Sequence, residues 1–219
     1  MFDLIGVYGA AGYGREIMPL VRSQVLSQLK IQKLRLLFID DGASRQSFNG
    51  HEVVSWEEFL AIPATRRAVA LAIASAVVRE KLATKCDAAF VPLLEVRAAN
   101  VVQMDNVELG DGACLSPFVT LTSNIRIGRA FHANLYAYIG HDCIIGDFVT
   151  FAPGVKCNGN VIIEDHAYIG SGAILRQGSP GKPLTIGRGA VVGMGAVVTK
   201  NVPAGATVVG NPARLLMKD

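Results

Sequence analysis

Charge is sparse in this chain, cysteines are few and far apart, and no apolar run is long. Asp, Glu, Lys and Arg make up only 18% of the residues against 51% hydrophobic ones, a balance that excludes a disordered chain and favours a packed core. The net charge of +3 and the lack of any Lys/Arg block argue against nucleic-acid binding. The longest apolar run, residues 68–78, falls well short of the roughly 20 residues that cross a bilayer as a helix. The succession of basic, apolar and cleavage regions of a signal peptide is missing from the N-terminus. Cys86, Cys114, Cys143 and Cys157 show neither CxxC nor CxxxC spacing, so a cysteine-ligated zinc is not expected. Reduced, buried thiols in a cytoplasmic protein are expected instead. With 219 residues there is chain enough for one or two cored domains.

What is present is a period of six. An apolar residue returns at every sixth position from Leu109 through Leu115, Leu121 and Ile127 to Leu175. Four residues after each comes a second, smaller apolar position, as at Ala113, Val119, Cys143 and Val155. Neither the 3.6-residue turn of a helix nor a plain twofold alternation fits, and a parallel β-helix of hexapeptide repeats does. Three hexads close one triangular coil. Small and polar residues make the corners, where glycine tolerates positive φ. The ladder breaks in RQGSPGKPLT, residues 176–185, and resumes at Ile186, Val192 and Val198. A polar, Pro/Gly-rich interruption of this kind is an excursion loop, and such loops commonly carry function.

The opening LIGVYGAAGYGREIMPLVRSQ reads as a strand (residues 4–8), a glycine turn and a helix over residues 15–24. A second strand, residues 34–39, ends at Asp40 and Asp41. Such a βαβ unit places backbone N–H groups where phosphate binds and a carboxylate where a ribose or base edge is read. The spacing departs from G-x-G-x-x-G, and these glycines would also serve merely to close a strand-to-helix turn. Ser55 with Glu58 three residues on predicts a capped helix. AVALAIAS, residues 68–75, reads as a strand buried on both faces, with a helix to follow. The expected domains are a Rossmann-like α/β unit over residues 1–88 and an all-β unit over residues 89–219.

His141 falls on a corner of the hexad IGHDCI, so its imidazole projects outward. Imidazole titrates near neutrality and can take the proton of an attacking amine or hydroxyl. Asp142 follows directly and can hold the ring's tautomer. An exposed corner histidine without a task is the plainer alternative. His132, His166 and His51 suit structural roles, and the intervals among the repeat's histidines do not supply the H-x-x-x-x-H pair of the β-helical zinc carbonic anhydrases.

IGHDCIIGDFVTFAPGVKCNGNVIIEDHAYIGSGA, with IGRGAVVGMGAVVTKNVPAGATVVGNPAR after it, resembles the left-handed β-helix acyltransferases. The glycine-rich N-terminal part ending in an acidic pair is similar to the group of bacillosamine and perosamine N-acetyltransferases and enzymes called sialic acid O-acetyltransferases. That resemblance implies a left-handed coil, a homotrimer with active sites between neighbouring β-helices, and direct transfer from acetyl-CoA without a metal. It implies His141 as the base with Asp142 behind it. It places CoA against Thr150, Gly159, Ser171 and Met194. Lys182, Lys200 and Arg214 offer charge to its phosphates, with plain solvated side chains as the alternative. It places a nucleotide sugar against Gly12, Tyr13, Gly14, Asp40 and Asp41. Thr150 and Tyr13 stand where the group often has histidine. The expected acceptor is the amine of a nucleotide-linked 4-amino-4,6-dideoxy sugar in surface-glycan synthesis. O-acetylation of a sialic acid or polysaccharide precursor, a non-catalytic sugar-nucleotide-binding subunit and a zinc hydratase remain alternatives.

Overall fold

The computed structural model describes residues 2–28, 34–42 and 47–216, and the chain divides into two compact units, Met1–Arg97 and Ala98–Asp219. In the first unit, strand β1 (Leu4–Tyr8) is buried at every residue, as its unbroken apolar run requires of a strand covered on both faces. It lies between β2 (Arg35–Ile39) and β5 (Arg67–Leu71), both parallel to it. Beyond β2 come β4 (His51–Val54), also parallel, and β3 (Ser47–Phe48), antiparallel at the edge, giving the order β3-β4-β2-β1-β5. Asn49 and Gly50 turn the β3–β4 hairpin with φ of 49° and 80°.

Helix α1 (Gly12–Gln28) starts at Gly12 rather than at residue 15, so Gly12, Tyr13 and Gly14 form its first turn. Gly9, at φ 105°, is the glycine that makes the turn itself. Gly14 is needed for contact: a Cβ there would stand 1.8 Å from the Gly9 carbonyl oxygen. Helix α2 (Trp56–Ala61) begins in the capping box read from the sequence, Glu58 N–H donating to Ser55 Oγ (3.1 Å) and Ser55 N–H to Glu58 Oε2 (2.7 Å). The strand expected over residues 68–75 stops at Leu71, and α3 (Ala76–Ala88) follows with Ser75 as its cap. The unit runs to Arg97, past the expected limit at residue 88. Val69 N–H donates to Pro92 O and Leu94 N–H to Val69 O, extending the sheet, while Gln24 holds the Glu95 carbonyl and the Arg97 N–H.

The second unit is a stack of parallel coils. Thr120 pairs with Tyr138, Tyr138 with Lys156 and Lys156 with Ile174, each eighteen residues on. The other two faces repeat that step in Arg126–Ile144–Ile162 and His132–Thr150–Tyr168. Both apolar positions of the hexad enter one continuous buried interior. Bulk is compensated from coil to coil there: Phe151 sits in register between Ala133 and Ile169 and meets Phe131 edge to face at 5.3 Å. Cys143 and Cys157 are inside as expected, and Cys86 and Cys114 are buried too.

At the excursion Ile163 pairs with Ile186, 23 residues on, so five extra residues are looped out without loss of register. Ser179 and Lys182 bridge its tip, and the next strand begins at Leu184, inside the expected loop. Three columns of positive-φ residues mark the prism edges. They include Asn106, Asn124, Asp142 and Asn160 on one, Ala130, Phe148 and His166 on another, and Phe118, Tyr136, Gly154 and Gly172 on the third. Glycine thus fills only part of the corners. The left-handed conformation costs an aromatic residue about 1 kcal/mol, and stacking between coils offsets it, Phe118 on Tyr136 at 4.8 Å and Phe148 on His166 at 5.4 Å. No helix among the described residues is long and apolar enough to cross a membrane.

Candidate active site

The corner that carries His141 is built by local preference. Asp142 adopts φ 56°, in a column otherwise occupied by Asn106, Asn124 and Asn160 at 55–59°. Asn and Asp are the side-chain-bearing residues that tolerate this conformation best. The turn throws the preceding residue outward, and the His141 and Asp142 side chains are 51% and 50% exposed. His141 Nδ1 lies 2.7 Å from Asp142 Oδ2, so Nδ1 donates and Nε2 is left as the acceptor. On its other side the ring rests on the next coil, at Gly159. The arrangement presents one basic nitrogen at an open edge, backed by a carboxylate.

No nucleophilic thiol competes with it. Cys143 is buried, with Sγ directed at the carbonyls of His141 (3.6 Å) and Asn158 (3.3 Å). The bond with Cys143 and complete burial hold the Cys157 thiol well above its ordinary range. Among the described residues no three or more His, Cys, Asp or Glu are grouped to hold a metal ion. His132 is buried, and His166 is stacked on Phe148.

The other expected cofactor residues divide between edges of the prism. Gly159 is under His141. Ser171 and Met194 precede Gly172 and Gly195 on a different corner column, where Gly195 N–H donates to Ser171 O at 2.8 Å. Lys200 and Arg214 line one cavity of about 550 Å³ with Val202, Val208 and Leu215. Lys182 is exposed at the excursion tip. Thr150 departs from expectation: it is only 4% exposed, in register between His132 and Tyr168, and presents little surface to a cofactor.

In the first unit the acidic pair is tied to protein groups that sequence reading missed. Asp40 Oδ2 accepts from Ala10 N–H and Oδ1 from Gly42 N–H, both at 3.1 Å, and so shapes the glycine turn. Asp41 accepts from Tyr8 OH (2.6 Å), Trp56 N–H (2.7 Å) and Lys85 Nζ (3.1 Å). Burial would raise the Asp41 pKa, but the bonds from Tyr8, Trp56 and Lys85 outweigh it and bring it below its ordinary value. Burial and Asp41 together push the Tyr8 hydroxyl far up. Lys85 lies 44 residues from Asp41 in the chain, and no local pattern announces the pairing.

The chain is 49% identical over 212 residues, 97% of its length and 96% of the relative's, to GDP-perosamine N-acetyltransferase of Escherichia coli O157:H7. The chain belongs to the hexapeptide-repeat sugar N-acetyltransferases. Residues 160–200 of this acetyltransferase match the family described as hexapeptide repeat of succinyl-transferase. Its structure superposes on that of WeeI from Acinetobacter baumannii AYE with a TM-score of 0.93 at 59% identity, covering 97% of this chain and 99% of the other. The acetyltransferase also shares its fold with PerB from Caulobacter crescentus, solved with CoA and GDP-perosamine (TM-score 0.84, 22% identity, 97% of each chain).

Proposed function

We propose that this acetyltransferase moves the acetyl group of acetyl-CoA to the amine of a nucleotide-linked 4-amino-4,6-dideoxy sugar, GDP-perosamine or a close analogue. The His141–Asp142 pair at the open prism edge carries the reading, and the identity of the full-length relative supports the acceptor. The sugar amine attacks the thioester carbonyl while His141 Nε2 takes a proton from the nitrogen. A tetrahedral oxyanion forms, the C–S bond breaks, and CoA leaves as its thiolate, to which the imidazolium can return a proton. Among the described residues nothing accepts from the Gly159 N–H, which makes it the candidate donor to the oxyanion. Asp142 fixes the tautomer and stabilises the imidazolium.

The Rossmann-like first unit is assigned the nucleotide. The N-terminus of α1 at Gly12, Tyr13 and Gly14 offers N–H groups and the positive end of the helix dipole to phosphate. Asp40 and Asp41 retain lone pairs for a ribose or base edge. CoA is assigned to Gly159, Ser171 and Met194, with Lys200, Arg214 and Lys182 for its phosphates. One chain sets Gly159 and Ser171 on different prism edges, so a site using both needs a second copy, which supports a homo-oligomer; the left-handed coil and the trimer rest on the family resemblance. Four free, buried cysteines fit a reducing compartment such as the cytoplasm.

The test is thiol release from acetyl-CoA with GDP-perosamine, other nucleotide-linked aminosugars and sialic acid as acceptors. Turnover with the aminosugar, abolished in His141→Asn with the assembly intact, is the expected result. Retention of most activity in that variant, or turnover with sialic acid alone, overturns the assignment.

A further inference from the structure

The face of His141 that meets the next coil is as specific as the face that meets Asp142. One coil step away from His141 stand Ser123 and Gly159, and at Gly159 the column has no side chain. A Cβ at Gly159 would lie 2.5 Å from Nε2 and 2.6 Å from Cε1 of His141. The imidazole therefore rests on a bare Cα. The backbone beneath it is clamped: Gly140 N–H donates to Cys157 O (2.7 Å), and Asn160 N–H to His141 O (2.9 Å). A Cβ at Gly140 would in turn meet Gly159 N at 2.6 Å, so the two corners touch main chain to main chain.

Asn158, just before this contact, has every polar group committed. Its Oδ1 accepts from Tyr138 OH (2.7 Å), its Nδ2 donates to Leu175 O (2.8 Å), and its N–H reaches the same carbonyl at 3.4 Å. Its own carbonyl accepts from the thiols of Cys143 (3.3 Å) and Cys157 (3.7 Å). Tyr138 and Leu175 lie in the coils on either side, so one side chain ties three coils together at the level of the base. Both flanks of the excursion land on the same shelf, Gly178 N–H on Gly159 O (3.0 Å) and Leu184 N–H on Asn160 O (3.2 Å).

We propose that Asn158 and Gly159 are positioning residues for acetyl transfer, the bare Cα of Gly159 setting the plane of the His141 ring and Asn158 holding Gly159 in place. This rests on His141 being the base. It gives Gly159 a task separate from any contact with CoA. The backbone there is not left-handed and accepts alanine, and the half-exposed ring has room to swing outward. A methyl group at this position therefore displaces the imidazole rather than the coil. Displacement of a reacting group by about 1 Å costs on the order of 100-fold in rate.

The experiment measures kcat and KM for acetyl-CoA in Gly159→Ala and Asn158→Ala, beside His141→Asn, with NMR of the histidine rings and a melting curve for each. For Gly159→Ala a kcat loss of about 100-fold is expected, with KM within twofold, the His141 ring signals moved and the melting temperature kept. For Asn158→Ala a kcat loss of about tenfold with unchanged KM is expected. A raised KM at constant kcat would make Gly159 a CoA contact only and overturn the proposal, as would unmoved ring signals. If Gly159→Ala does not fold, an unchanged kcat in Asn158→Ala overturns it. An active His141→Asn defeats the base assignment itself, whereas a dead His141→Asn beside a fully active Gly159→Ala defeats only the positioning claim.

Discussion

Replacing Asp142 by asparagine removes a charge from the candidate site and little else. Asn106, Asn124 and Asn160 hold the same left-handed corner in coils to either side, so the variant's backbone is native to its column. Its amide oxygen can still accept from His141 Nδ1, where the carboxylate now does so at 2.7 Å. A hydrogen bond to a charged group contributes about 1.5–3 kcal/mol and a neutral one about 0.5–1.5, which leaves roughly 1–1.5 kcal/mol for the charge. Solvent at this half-exposed pair screens the charge toward the lower figure. Since 1.36 kcal/mol corresponds to about tenfold in rate, kcat should fall roughly five- to tenfold with KM for both substrates unchanged. Asp142→Ala should fall further and melt earlier, because alanine loses the orienting bond and adds about 1 kcal/mol of left-handed strain. Steady-state thiol release at saturating acetyl-CoA reads the rates, and thermal melting reads the fold. An asparagine variant as fast as the parent, or as slow as His141→Asn, would refute the reasoning.

Phe151→Ala should destabilise the prism by about 3–5 kcal/mol, since Ala133 above it cannot fill the space; urea unfolding followed by circular dichroism measures this. Ser55→Ala should cost about 1 kcal/mol through loss of the capping box, read from the fluorescence of Trp56, the chain's single tryptophan. The Asp41 pKa is depressed, so its contribution is present above its ordinary 3.8 and lost as pH falls through the lower folded value. That of Tyr8 is raised, so its contribution is present below 10.0 and lost only as pH climbs through the higher folded value. Trp56 unfolding midpoints should therefore hold level between these limits and fall below pH 4, and Asp41→Asn should flatten the acid side.

The two apolar positions per hexad placed Leu115, Phe151 and Ile169 inside the prism, and each is fully buried. The capping box at Ser55 and Glu58 was readable because its partners are three residues apart. Reading stopped short at Gly12, whose glycine signalled a turn although the helix starts there. It also expected small and polar residues at the corners, where Phe118 and Tyr136 hold theirs by stacking across coils. Asp41 was legible as a carboxylate at a strand end, but its bonds to Tyr8 and Lys85 span 33 and 44 residues.

By itself the amino-acid order determined that the second unit coils with an eighteen-residue step and that His141 sits at an outward corner. Both are consequences of period, and a period is a local property. Only the tertiary structure decided what the imidazole rests on. Gly159, Asn158 and Tyr138 come together with His141 through parallel register between coils, and residues that far apart in the chain meet only once the interior has packed.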